Sequence, residues 1–341
     1  MSRSLSSLAL ATVFALSLSG CAATTPESNT GSETADEAQS LVLYSGRAED
    51  LVQPIIDQFT AETGIEVEVR YAGTAELAAQ LLEEGDGSPA DAFLAQDAGA
   101  LGAVAKSGLF QPIPQEYFGL VDPAFSGSEK LWVGLSGRVR VFNYNPEKVS
   151  EVPLSVLDLA EPQWKGRIGI APTNASFQSF VTALRITEGE QVAAEWLRAM
   201  KENGVLFEKN SAILEAVETG QVDAGLINHY YWFARGAEVG FDNMTSQLSS
   251  FEAQDVGNLV NVAGLGILKD NSATRALVEF LLSETAQRYF VEQTFEYPVI
   301  QGLEGVQGYL PLSEVEAPEI DLSDLDTLEQ TLELIRAAGL I

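Results

Sequence analysis

The sequence predicts an α/β protein of two lobes, each a mainly parallel sheet flanked by helices, joined by two crossing hinge strands. Three observations carry this. Strand-period and helix-period apolar segments alternate through residues 41–94 and again through residues 167–228. Two segments rich in glycine and β-branched residues, 131–144 and 259–268, lie between the halves and read as strands that bend or approach other backbone. About 300 residues follow position 40, enough for two lobes of ordinary domain size. A chain that leaves one lobe and later returns to it makes a cleft with a hinge. The expected division is 41–140 plus 262–311 for lobe I and 141–261 plus 312–341 for lobe II.

Residues 41–44 read as a short buried strand, and Leu51, Val52, Ile55, Ile56 and Phe59 recur at helical spacing until Gly64. Ile65, Val67, Val69 and Tyr71 then alternate with Glu66, Glu68 and Arg70. Strand, helix and strand without a hairpin turn imply a parallel crossover. Thr74 is the expected cap of a second helix carrying Leu77, Leu81 and Leu82, and 90–94 is the next strand. The grammar returns with a strand at 167–171, a turn and cap at 172–176, and a helix face of Phe177, Phe180, Val181 and Leu184. Further helices are expected around Trp196 and Leu197, around Ile213, Leu214 and Val217, and at the leucine-rich end, 322–341.

Ahead of the lobes, Arg3 precedes an apolar stretch from Leu8 to Leu18, too short to span a bilayer but suited to a signal-peptide core. Leu18-Ser19-Gly20-Cys21 resembles a bacterial lipobox, which implies cleavage before Cys21 and lipidation of its thiol. Residues 1–20 are thus expected as a signal peptide. Residues 21–40, small, polar and acidic, are expected as a disordered tether. The protein should lie outside the cytoplasm, anchored on the periplasmic side or outer face of the cell membrane. Cys21 is the one cysteine, so neither a disulfide nor a cysteine metal cluster can form within one chain. The formal net charge of −30 disfavours nucleic acid as a partner.

Asn228-His229-Tyr230-Tyr231 ends the apolar run 222–228. In an open α/β sheet the loop past a strand's carboxyl end is where ligands sit. Two phenolates suit ferric iron, whose charge can displace protons from groups of ordinary pKa about 10. The alternative for such a pair is packing. Ser45-Gly46-Arg47 and Ser136-Gly137-Arg138 are near-identical endings of two strand-like segments, and an arginine fork binds a carboxylate-like anion; each could instead form an ion pair. Asn174-Ala175-Ser176 opens a helix, whose free N–H groups favour an anion.

The chain resembles the ferric-iron-binding proteins called bacterial transferrins, the substrate-binding components of iron(III) ABC transporters, with a type II periplasmic-binding-protein-like fold. The resemblance spans about residues 41–310. It rests on Leu-Tyr-Ser-Gly-Arg at 43–47, Phe-Thr-Ala-Glu-Thr-Gly-Ile at 59–65 and Glu-Gly-Asp-Gly-Ser-Pro-Ala-Asp at 84–91. Trp-Lys-Gly-Arg at 164–167, Pro-Thr-Asn-Ala-Ser-Phe at 172–177 and the Asn-His-Tyr-Tyr run complete it. It implies that Tyr230 and Tyr231 are ferric ligands, with Tyr144 as a third phenolate unless that residue packs near the hinge. It adds Asn210 and Asn228 to the anion site. Family members with a histidine and a glutamate on the first lobe would place them where this chain has Ala48 and Gln96. That departure shifts the burden to an exogenous anion, expected to be carbonate or phosphate. His229, the single histidine, is expected to pack or support the ligands.

The implied function is a hinged clamp that takes up ferric iron and delivers it, as a monomer, to a membrane permease and its ATPase. No enzymatic activity is expected. The neighbouring alternative is a solute-binding protein for a phosphonate, polyamine or thiamine. A hydrolase using His229 lacks the Gly-x-Ser-x-Gly elbow.

Overall fold

The computed structural model describes residues 40–341. The expected signal peptide, Cys21 and the tether up to residue 39 lie outside the described residues. β1 (Ser40–Ser45), α1 (Glu49–Thr63) and β2 (Glu66–Tyr71) form the expected crossover, with β1 and β2 parallel from Ser40↔Glu66 to Ser45↔Tyr71. α1 buries Val52, Ile55, Ile56 and Phe59 and stops at Gly64, whose φ of 73° is left-handed.

α2 (Thr74–Glu84) is not capped by Thr74 as expected. Gly73 occupies the cap position, and the Thr74 hydroxyl donates to the Gly46 carbonyl at 2.9 Å. The turn after β1 presses directly on the start of α2: a Cβ on Gly46 would lie 2.2 Å from Thr74 Oγ1 and 2.8 Å from Thr74 Cα. Gly46→Ala is therefore expected to cost about 1–3 kcal/mol, read as a lower thermal midpoint. An unchanged midpoint would count against this contact.

β3 (Ala92–Ala95), α3 (Ala98–Lys106) and the short α4 (Gln115–Phe118) lead into β4 (Trp132–Tyr144). The second half contains β5 (Ile168–Ile170), α5 (Ala175–Glu188), α6 (Glu190–Asn203) and β6 (Gly204–Leu206). α7 (Asn210–Glu218), β7 (Ala224–Asn228), α8 (His229–Val239) and β8 (Gln247–Ser249) complete it. β9 (Val260–Ile267), α9 (Ser272–Leu281), α10 (Glu284–Glu292) and β10 (Tyr297–Pro298) return to the first half. The leucine-rich end breaks into a 3₁₀ turn, Leu322–Asp326, and α11 (Leu328–Ala337). The turn packs on α3, whereas α11 packs on α5 and α6 and also reaches α3.

The main strands run in the order β2-β1-β3-β9-β4-β7-β5-β6. β1 is parallel to β2 and β3, and β5 is parallel to β6 and β7. β4 joins the halves by changing partner in mid-strand. It pairs with β9 as far as Val139↔Val260 and with β7 from Arg140↔Asn228 onward. β1 and β3 therefore bring their carboxyl ends to the junction from one side and β5 and β7 from the other, the ligand-binding edges of parallel sheets.

Candidate functional site

The tyrosine pair owes its position to a sharp change of structure at Asn228. Asn228 is the last residue of β7, with extended backbone angles of −94° and 147°, and α8 starts at His229. Helical rather than strand geometry puts Tyr230 and Tyr231 side by side in the first turn, their ring centroids 4.3 Å apart and their hydroxyls hydrogen-bonded to each other. Tyr230 is 3% exposed. Burial, then the Glu296 carboxylate, holds its phenol above the usual range, while Arg47 and Arg138 pull it back. Tyr231 is held well above its ordinary value by burial and by Tyr230 beside it.

Arg138 and Arg140, two residues apart on β4, share one face of that strand. They are 1% and 2% exposed. Among the described residues no nitrogen of the Arg138 guanidinium has a hydrogen-bond partner. Burial lowers its pKa against the attraction of Tyr230, Asp97 and Glu296. Arg140 stacks over the Phe180 and Phe177 rings at 4.8 and 5.6 Å, and its Nη1 donates to the Ser176 carbonyl at 3.4 Å. Burial, with the repulsion of Arg138, pushes it down to about 9. A buried guanidinium without an acid is costly to fold and has donors to spare.

The expected helix start lies against Arg140. Asn174 caps α5, its side-chain oxygen accepting from the Ser176 N–H at 3.0 Å and from the Ser176 hydroxyl at 2.7 Å. Asn210 donates to Ser176 Oγ at 3.1 Å. Asn174, Ala175, Ser176 and Asn210 are thus one cluster, and Asn228 sits opposite Arg140 in the β4–β7 register. Asn228 Nδ2 and Asn210 Oδ1 are buried without partners, a spare donor and a spare acceptor.

Arg47 departs from expectation. Its Nη1 and Nη2 are taken by Glu296 at 2.9 and 2.7 Å, and Nη1 also donates to Ser136 at 3.1 Å. Burial works against its charge, but the Glu296 carboxylate more than offsets this and raises its pKa. The two terminal nitrogens of Arg47 are thus occupied by a fully buried carboxylate, and only its Nε is without a partner among the described residues. Glu296→Gln, which strands the Arg47 charge, is expected to destabilise the fold by about 3–5 kcal/mol in denaturant titrations. A loss below about 1 kcal/mol would mean that the pair behaves like an exposed one.

Tyr144 is not brought to the pair. In the antiparallel β4–β7 register it lies opposite Ala224, four residues back along β7 from Asn228, which at strand rise is about 13 Å. It stacks on Phe142 at 5.7 Å and bonds Gln247 Oε1 at 3.2 Å. That register sets it apart from the pair, and the contacts it makes are with Phe142 and Gln247. Gln96 Nε2 is buried without a partner. His229 is stacked on Tyr297 at 4.8 Å and on Tyr309 at 5.2 Å, and its Nδ1 accepts the Val139 N–H at 3.2 Å. Burial lowers its pKa to about 4, so it is a neutral packing residue at neutral pH. Among the described residues no group of three or more His, Cys, Asp or Glu side chains could hold a metal.

A family model described as "Bacterial extracellular solute-binding protein" matches residues 87–315. The chain is 37% identical over 317 residues to the Fe(3+)-binding periplasmic protein of Serratia marcescens, covering 91% of this chain and 94% of that one. It is 37% identical over 309 residues to the major ferric iron-binding protein of Neisseria meningitidis serogroup B, covering 88% and 93%. Among solved structures, iron-bound HitA from Pseudomonas aeruginosa superposes with a TM-score of 0.83 at 35% identity, over 88% of this chain and 99% of that one. These are binding proteins, not enzymes, and the α/β fold is the expected periplasmic-binding-protein fold. The chain belongs to the bacterial extracellular solute-binding proteins, in the family of ferric iron-binding periplasmic proteins.

Proposed function

We propose that this protein captures ferric iron outside the cytoplasm through the phenolate oxygens of Tyr230 and Tyr231 and one bound anion, and delivers it to an ABC importer. The observation that carries this reading is the buried phenol of Tyr230 with the half-buried phenol of Tyr231 against it, beside a buried guanidinium, Arg138, that has no partner among the described residues. Two phenolates leave one positive charge on the ion, and Arg138 and Arg140 add to it. A small dianion, carbonate or hydrogen phosphate, bridging metal and guanidinium offsets two of these three positive charges. Asn228 Nδ2, opposite Arg140 in the β4–β7 register, supplies a further donor.

A permease with its cytosolic ATPase is the receiver, and lipidated Cys21 keeps the protein at the membrane. The ferric names and iron-bound structures of the relatives support the cargo; one structural relative, the Trichodesmium protein, is described in complex with iron and citrate ligands. The test is optical. Ferric citrate added to the purified protein in bicarbonate or phosphate should give a visible phenolate-to-iron absorption band, weaker when both anions are excluded. No band and no ferric binding, with a thermal shift instead from a phosphonate, polyamine or thiamine, would replace this reading with the organic-ligand one.

A further inference from the structure

We infer that Asp97 and Ser179 form a latch between the two halves of the molecule, and that Arg138 decides whether Asp97 is free to close it. This rests on the anion-bound reading of Arg138 given above.

Asp97 follows β3 in the first half and caps α3, its Oδ1 accepting from Ala100 N–H at 3.2 Å. The same oxygen accepts from the hydroxyl of Ser179, on α5 in the second half, at 2.8 Å. Both side chains are 2% exposed. A hydrogen bond to a buried carboxylate belongs to the strong class.

A Cβ on Gly99 would lie 3.4 Å from Ser179 Oγ and 2.7 Å from the Leu325 carbonyl. Glycine at 99 therefore lets the C-terminal turn at Leu325 press on the start of α3, beside the Asp97–Ser179 contact.

Asp97 also lies within electrostatic reach of the unpartnered Arg138, yet the two form no hydrogen bond. Burial raises Asp97's pKa, while Arg138 and then Ser179 oppose that rise. One carboxylate thus faces two suitors from different elements. With an anion on Arg138, the guanidinium is satisfied and Asp97 holds Ser179. Without the anion, and with α5 withdrawn, Arg138 and Asp97 are each other's remaining opposite charge, and pairing between them stabilises the separated halves. Anion binding thereby favours closure by releasing Asp97 from Arg138, beyond any direct contact that the anion makes with the first half.

Two variants that retain the shape of the site act in opposite directions. Ser179→Ala removes only the latch. Asp97→Asn retains an oxygen for Ser179 but removes the charge that pairs with Arg138 in the empty state. In stopped-flow transfer of iron to excess chelator, Ser179→Ala is expected to release iron about tenfold faster, with its visible band unmoved. In small-angle scattering without ligand, Asp97→Asn is expected to be more compact than the unmodified protein. Unchanged release in Ser179→Ala, or an Asp97→Asn protein at least as expanded as the unmodified one, overturns the latch. If the unmodified protein gives no visible band, the ferric reading fails, and the scattering comparison in bicarbonate or phosphate still decides the latch.

Discussion

Tyr230→Phe and Tyr231→Phe are each expected to lower ferric affinity by more than about 100-fold, beyond the loss usual for an outer-sphere partner, and the double variant to abolish the visible band. The two ring centroids lie 4.3 Å apart with the rings tilted by 31°, so each substitution removes one oxygen while leaving the apolar contacts in place. Thermal stability should therefore change little, which separates loss of a ligand from loss of the fold. Both phenols are held above their ordinary pKa, mainly by burial, and so carry their protons at neutral pH. Uptake must release both protons. Apparent affinity, corrected for protonation of the competing chelator, should accordingly fall as pH falls, by about 100-fold per unit for two protons. Each single variant should show about half that logarithmic slope. A single-variant slope equal to that of the unmodified protein would remove the substituted tyrosine from the ligand set.

Much of this arrangement was legible before any coordinates because it depends on local pattern. The crossover of β1, α1 and β2, the cap at Asn174 and the tyrosines past β7 all lie within short stretches whose periodicity and end signals agree. What the chain hid depends on register and on distant neighbours. Tyr144 and Arg140 lie on the same strand, and only the antiparallel pairing of β4 with β7 decides that Arg140, not Tyr144, lies opposite Asn228.

Arg140 itself looks like the polar half of an alternating strand, which in an antiparallel pair commonly faces water. Here α5 covers that face, and the guanidinium is buried against Phe177 and Phe180. Glu296 is 249 positions from the arginine it neutralises, and no spacing rule reaches that far. Asp97 and Ser179 likewise carry no signal of their own. An aspartate at a helix start reads as a cap, which it also is.

Arg138→Met is expected to make the empty protein more stable by about 1–3 kcal/mol, because its pairing with Asp97 in the separated halves is open to water and gives back at most about 1 kcal/mol, while abolishing anion-dependent iron retention. The side chain is 1% exposed and no hydrogen bond reaches its guanidinium, so folding strips a charge of water and returns only distant attraction from Tyr230, Asp97 and Glu296. The sign follows from its pKa, which burial lowers. A cation whose folded-state pKa is depressed binds its proton less tightly in the native state, so keeping it charged costs stability throughout the neutral range. Methionine preserves the apolar stem and removes that cost. A structural arginine would behave in the opposite way, as Arg47 should, because removing either member of a satisfied buried pair leaves the other stranded. Denaturant midpoints of the empty protein and iron transfer to chelator, each measured with and without bicarbonate or phosphate, separate the two cases. A variant that is less stable and still responds to the anion would assign Arg138 to the scaffold and move the anion to Arg140 and the start of α5.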